Sequence, residues 1–195
     1  MNDPETLTPD FSQRDPAPGV NPQFSHRWSP RSFIKTTIAQ STLNTIFDAA
    51  RWSPSCFNDQ PWKFITSTEE THRQFLDLLV EGNQVWAKNA SVLGFVLARK
   101  QFGHNGKPNN FAAFDAGAAW MAMTLQANLC GLHTHGMGGI HFDQVYKTFA
   151  IDPDKFQVIC GFALGVAAGP DQLPAELAAK ETPSNRKALS DIWQQ

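Results

Sequence analysis

The chain has 195 residues, 42% of them apolar and 17% charged, with a formal net charge of −2. That length is somewhat long for one average domain and short for two. The near-neutral charge excludes a broad electrostatic attraction to nucleic acid or to a membrane surface. No apolar run reaches membrane-spanning length, and the longest, near residues 92–98, contains Gly94 and suits a buried strand. Fifteen Phe and six Trp against one Tyr predict a strongly aromatic core. The opening M-N-D-P-E-T lacks a charged n-region and an apolar h-region, so no secretory signal is expected. Cys56, Cys130 and Cys160 are isolated and odd in number, and are expected as reduced thiols of a cytoplasmic protein.

Residues 1–22 are proline-rich and poor in apolar side chains, and are expected as a flexible arm ahead of a single domain over 23–195. S-H-R-W-S-P-R-S-F follows at 25–33. If this stretch is helical, or turns back on itself, Arg27 and Arg31 can close on one anion with their forked donors. Pro30 weighs against the helix. Residues 40–51 place Leu43, Ile46, Phe47 and Ala50 on one helical face. Pro54 ends that helix, and Pro61 breaks the chain again before a short strand over 62–66. Ser55, Cys56, Asn58, Asp59 and Gln60 are thereby held between a helix end and a strand start. The loop they form suits a flat polar ligand whose edge needs several donors and acceptors.

A helix is predicted over 68–80, with Glu69 and Glu70 in its first turn and Phe75, Leu76, Leu79 and Val80 as its stripe. E-G-N-Q-V-W-A-K-N-A then leads into an apolar strand of the kind buried in a sheet. Residues 101–110 form a Gly/Asn-rich loop carrying His104 and Lys107. Residues 111–130 give the strongest helix, apolar or small on nearly every side and read as buried all round, with Phe114, Ala118, Met121, Leu125 and Leu129 as one stripe. Asp115 is its odd charge, expected in a helix-end or inter-subunit hydrogen bond. L-H-T-H-G-M-G-G-I-H at 132–141 carries three histidines. No metal site is expected there, because no Cys, Asp or Glu stands among them and His133 and His135 are read as pointing opposite ways on a strand. Gly138 and Gly139 would let backbone approach a planar ligand. A short helix over 141–150 and a central strand over 156–166 complete the core.

Four segments carry a family resemblance. P-S-x-x-N-x-Q-P-W, at Pro54, Ser55, Asn58, Gln60, Pro61 and Trp62, resembles the signature of the nitroreductase family of flavin enzymes. R-x-S-x-R-x-F at Arg27, Ser29 and Arg31, G-N-x-x-W at Asn83 and Trp86, and the tail around Arg186 resemble the family again, so the likeness runs from about residue 25 to 192. It implies an α+β sandwich, a mostly antiparallel sheet flanked by helices, assembled as a homodimer with shared active sites. It further implies FMN as cofactor and NADH or NADPH as hydride donor. The acceptor would be a small molecule such as a nitroaromatic, a quinone or an enone, reduced in a ping-pong cycle. No nucleic acid, membrane or metal is implied, and no catalytic side chain, since the flavin carries the chemistry. The residues carried over for FMN are Arg27, Trp28, Ser29, Arg31, Pro54, Ser55, Cys56, Asn58, Gln60, Asn83, Gly138, Gly139 and Arg186. Ser184 stands where relatives usually have lysine, and Lys187 is the expected compensation. Relatives that run oxidation or dehalogenation, and a non-catalytic FMN carrier or sensor, are the alternative readings.

Overall fold

The computed structural model describes residues 9–195, so the first eight residues of the expected arm lie outside the described part. Helix α1 (Pro22–Ser25) is followed by β1 (Phe33–Ile34) and α2 (Gln40–Arg51). A single 3-10 turn at Cys56–Asn58 precedes β2 (Trp62–Thr66), α3 (His72–Leu76), α4 (Glu81–Ala87) and β3 (Val92–Arg99). Then come α5 (Ala112–Leu129), β4 (His133–Met137), α6 (Phe142–Thr148), β5 (Phe156–Ala167) and α7 (Ala175–Ala178). All strand pairs are antiparallel. Strand β5 pairs with β3, which pairs with β2; β4 pairs with the opposite edge of β5 over Gly161–Gly165, and β1 pairs with its last two residues.

The sheet is covered on both faces, and β3 shows why it is apolar throughout. Leu93, Phe95 and Leu97 pack on one side with Phe75 of α3, Trp86 of α4, Met137 of β4 and Val145 of α6. Val92, Val96 and Ala98 pack on the other with Ile46 and Ala50 of α2 and Ala116 and Met123 of α5. The period of two sends alternate side chains to opposite faces, and here both faces are core. The fold is therefore the expected α+β sandwich with an antiparallel sheet.

Three expectations need correction. The predicted helix over 68–80 is only the five residues of α3. Ahead of it the side chains of Thr68 and Thr71 bond each other's backbone N–H groups, at 2.8 and 3.3 Å, in the reciprocal pattern that starts a helix. Beyond it the chain is drawn into a bridge, Leu79 opposite Ile140, with Val80 N–H donating to the Gly139 carbonyl at 3.1 Å and His141 N–H to that of Leu78 at 2.9 Å. A second helix, α4, then forms where none was expected.

Helix α5 is not buried all round within the chain. Its core face is Ala112, Ala116, Ala119, Met123 and Ala127, while Phe114 and Leu129 of the expected stripe are 78% and 65% exposed. Finally, His133 and His135 lie two apart on β4 and share a face. Thr134, between them, turns to α5 and meets the Thr124 hydroxyl at 2.9 Å. His135 turns the other way, onto the Trp86 ring.

Gly94 is the tightest point of the core. A Cβ there would overlap the Phe162 ring and lie 2.7 Å from the Ile65 carbonyl oxygen. Gly94→Ala is expected to destabilise the fold by about 1–3 kcal/mol, the usual cost of overpacking, seen as a lower urea midpoint. An unchanged midpoint would show that β2 and β5 can spread without penalty.

Candidate active site

The Arg27–Arg31 stretch is not helical; it runs irregularly beside β4. The Pro30 carbonyl accepts from His135 Nδ1 at 2.9 Å, and Arg27 Nη1 donates to Ser29 Oγ at 3.1 Å. Trp28 is buried as a core side chain, and its indole N–H has no partner. Arg31 sits against Glu181, whose side chain is fully buried. Glu181 Oε1 accepts from the backbone N–H groups of Arg31 and Ser32 at 2.5 and 2.8 Å, and Oε2 lies 3.8 Å from Arg31 Nη1.

Arg27 and Arg186 have a different environment. Neither has a carboxylate within ion-pair distance among the described residues. Burial, and then the charges of Arg186 and Arg14, hold Arg27 below the usual guanidinium range. Arg186 Nη1 donates to the Ser184 and Asn185 carbonyls at 3.2 and 2.9 Å. Lys187 is exposed, and the charge that joins Arg186 at Ser184 is Arg14, whose Nε donates to the Ser184 carbonyl at 3.0 Å. Arg14 falls in the segment expected as a flexible arm, and its bonds are to backbone carbonyls far along the chain, so no motif signalled it. His133 faces the same cluster, with a buried Nδ1 that has no partner.

Five residues further along from His133, roughly 16 Å at strand rise, the chain reaches Gly138. A Cβ at Gly138 would meet nothing within 4 Å, so its backbone is open to a ligand. Gly139 is closed: a Cβ there would lie 2.7 Å from Asn83 Nδ2, which donates to the Gly139 carbonyl at 2.9 Å. Asn83 thus fixes the glycine turn.

The loop of residues 54–60 is tightly built. Phe57, Asn58 and Gln60 have φ of 54°, 53° and 49°, a left-handed region that side chains other than glycine occupy at a cost. Ser55 Oγ accepts from Gln60 N–H at 2.9 Å, and Gln60 Nε2 donates to the Asn58 carbonyl at 2.9 Å. The buried Asp115 accepts from Cys56 N–H at 3.1 Å, so its hydrogen bond is within the chain. Asp59 accepts from Gly103 N–H at 2.7 Å and from Arg99 at 3.0 Å, tying this loop to the 101–110 loop. Phe57 is exposed and edges onto Phe102 and His104.

The expected site residues thus fall into two groups. Arg27, Ser29, Arg31 and Arg186, with Asn83, Gly138 and Gly139, gather along β4. Pro54, Ser55, Cys56, Asn58 and Gln60 precede β2 at the opposite edge of the sheet. Trp62 aligns through Ala98 with Gln157, whereas His133 aligns with Gly165. Three strand spacings across and eight residues along place the two ends roughly 14 Å by 26 Å apart.

The nitroreductase family model matches residues 25–90 and 78–166, which is most of the chain. The chain belongs to the nitroreductase family. A solved structure described as an oxidoreductase containing FMN is 43% identical to this nitroreductase chain over 97% of both chains, with a TM-score of 0.90. An Exiguobacterium sibiricum protein, described as a nitroreductase in complex with FMN, is 21% identical over 99% of this chain and 100% of its own, with a TM-score of 0.73. A Streptomyces coelicolor protein whose name assigns it as an NADH dehydrogenase/NAD(P)H nitroreductase is 30% identical over 90 residues. That match spans 46% of this chain and 45% of the relative's length.

Burial first, and then nearby cations, hold three imidazoles below their usual range: His135 near Arg31 and Arg27, His133 near Arg27, and His72 near Lys35. In the unfolded chain each takes up a proton near pH 6.5. The unfolded state therefore binds more protons as pH falls below that value, and stability falls with it until the folded histidines also titrate. The urea midpoint is expected to drop between about pH 7 and pH 5, above the range where most carboxylates titrate. A flat midpoint across that window would contradict the histidine environments.

Proposed function

We propose that this nitroreductase-family chain is an FMN-dependent oxidoreductase. It takes electrons from NADH or NADPH and passes them to a nitroaromatic, quinone or enone acceptor in a ping-pong cycle, as a homodimer with shared sites. The observation that carries the reading is the layout along β4. Arginines without carboxylate partners stand at one end, and an open glycine backbone stands at the other. An elongated ligand with an anionic tail and a flat head matches that layout, and FMN is such a ligand. Bound FMN would supply the redox chemistry, accepting electrons from the nicotinamide and yielding them to the acceptor.

The chain's own residues hold and orient that ligand. Arg27 and Arg186 offer charge-assisted donors to a phosphate. The Gly138 backbone can approach a ring closely, and Asn83 keeps the turn in place from behind. The buried, unpartnered Nδ1 of His133 lies beside Arg27, where a phosphate oxygen could satisfy it.

The sheet supports a shared site. The 54–60 loop stands three strands away from β4 and at the end of the sheet opposite to Arg27 and His133, and a second copy can deliver it to that arginine end. The outer face of α5, with Phe111, Phe114 and Leu129 exposed, and the exposed Leu189, Ile192 and Trp193 of the tail offer the apolar surface such a dimer would cover.

Two measurements test this. Cofactor released by heat should have the mass of FMN, and the bound flavin should bleach with NADH or NADPH without oxygen; FAD, or no bleaching, would refute the reductase. For the shared site, Arg27→Glu and Ser55→Trp should each inactivate the homodimer. Refolding the two variants together should restore activity, because a mixed dimer holds one site with both defects and one with neither. Mixed dimers without recovered activity would place both halves in one chain.

A further inference from the structure

Arg14 ties the N-terminal segment to two distant parts of the chain. Its Nη1 donates to the carbonyls of Ser25 and Arg27, the latter at 2.9 Å, and its Nε to that of Ser184 at 3.0 Å. Its own N–H bonds the Phe11 carbonyl at 2.9 Å, which turns the chain. Its guanidinium carbon lies 5.3 Å over the Phe11 ring, and that ring stacks on His26 at 4.7 Å with an interplanar angle of 5°. The side chain is therefore fixed before any ligand arrives.

A guanidinium has five N–H donors. The three carbonyls engage Nε and Nη1, which leaves the two donors of Nη2 without partners among the described residues. Burial and then the charge of Arg186 lower the basicity of Arg14, and burial, Arg186 and then Arg14 lower that of Arg27. Three mutually repelling cations held together by backbone carbonyls, with no acid within ion-pair distance among the described residues, form a site that an anion stabilises.

We propose that Arg14 is a third phosphate-binding arginine of the cofactor site, placed there by the N-terminal segment and directed at the FMN phosphate through Nη2. Resting on the FMN reading above, this adds a binding residue that lies before the part of the chain the family model matches. The same side chain joins the N-terminal segment, the Ser25–Arg27 stretch and the C-terminal tail, so both chain ends close over the phosphate together.

Riboflavin, which is FMN without its phosphate, separates a ligand from a structural staple. Flavin-free protein is titrated with FMN and with riboflavin by flavin fluorescence, for the wild type, Arg14→Gln and Arg14→Lys. Arg14→Gln is expected to lower the preference for FMN over riboflavin about tenfold or more, since a charge-assisted hydrogen bond contributes that much. Arg14→Lys, which keeps the charge and loses the fork, should fall between the other two. An unchanged preference in Arg14→Gln, whether or not both affinities drop, would overturn the proposal. Should circular dichroism show that Arg14→Gln does not fold, Arg14→Lys decides: a threefold or larger loss of preference supports a phosphate contact, and none refutes it. A wild-type protein that bound neither flavin would instead overturn the FMN reading itself.

Discussion

The pairing of β5 with strands on both sides is the constraint from which the rest of the molecule follows. Of its 12 residues, Phe156–Leu164 pair with β3, Gly161–Gly165 with β4 on the opposite edge, and Val166 and Ala167 with β1. Where both edges are paired and both faces covered, Phe162, Ala163 and Leu164 are fully buried in succession. Its length also sets distances. The start of β5 fixes, through β3, where β2 begins and hence where the 54–60 loop projects. Its end fixes where β4 and β1 lie, and with them the arginine cluster.

Charge is partitioned in a consistent way around this frame. The buried acids all hold backbone or neighbouring loops: Glu181 the amides of Arg31 and Ser32, Asp115 that of Cys56, and Asp59 that of Gly103 with Arg99. Each thereby gains hydrogen bonds of the kind a buried carboxylate requires, although Glu181 Oε2 has only the Arg31 guanidinium, 3.8 Å away. With its acids used in this way, the fold leaves Arg14, Arg27 and Arg186 uncompensated at one place. Arg31, close by in sequence, is the contrast: its neighbour Glu181 offsets its charge.

Much of this was legible in the sequence, and the exceptions have physical causes. Helix α2 has the predicted bounds of 40–51, because its apolar spacing is one-sided and Pro54 stops it. Strands β2, β3 and β5 were legible from apolar runs set between breakers. Helix α5 was visible as a helix, but its orientation was not, because alanine and other small or apolar residues lie all around it and periodicity then points nowhere. The bridge of Leu79 to Ile140, which cuts the predicted helix short, is a long-range pairing that no local pattern encodes. The family-like motifs located Arg27, Asn83, Gly138 and the loop. Arg14 and Glu181 escaped notice because they contact backbone far away in the sequence, and such contacts leave no spacing to read.

The 54–60 loop shows how the proposed assembly and the fold constrain each other. Three left-handed residues other than glycine cost on the order of 1–3 kcal/mol each, and the two buried aspartates with their hydrogen bonds offset that strain. A loop so constrained is pre-organised, yet it stands three strands across and eight residues along from the His133 end of its own β4. Its polar groups and the exposed Phe57 project from the corner of the sheet farthest from Arg27. Under the proposed dimer this separation has a purpose. Each chain holds the phosphate end of one ligand with its two chain ends and presents a rigid loop to the ligand of the other. Ordering entropy that a mobile loop would lose on binding is then already lost on folding. The strain stays local because β2 begins immediately after Pro61, whose carbonyl accepts from Arg99 N–H at 2.8 Å.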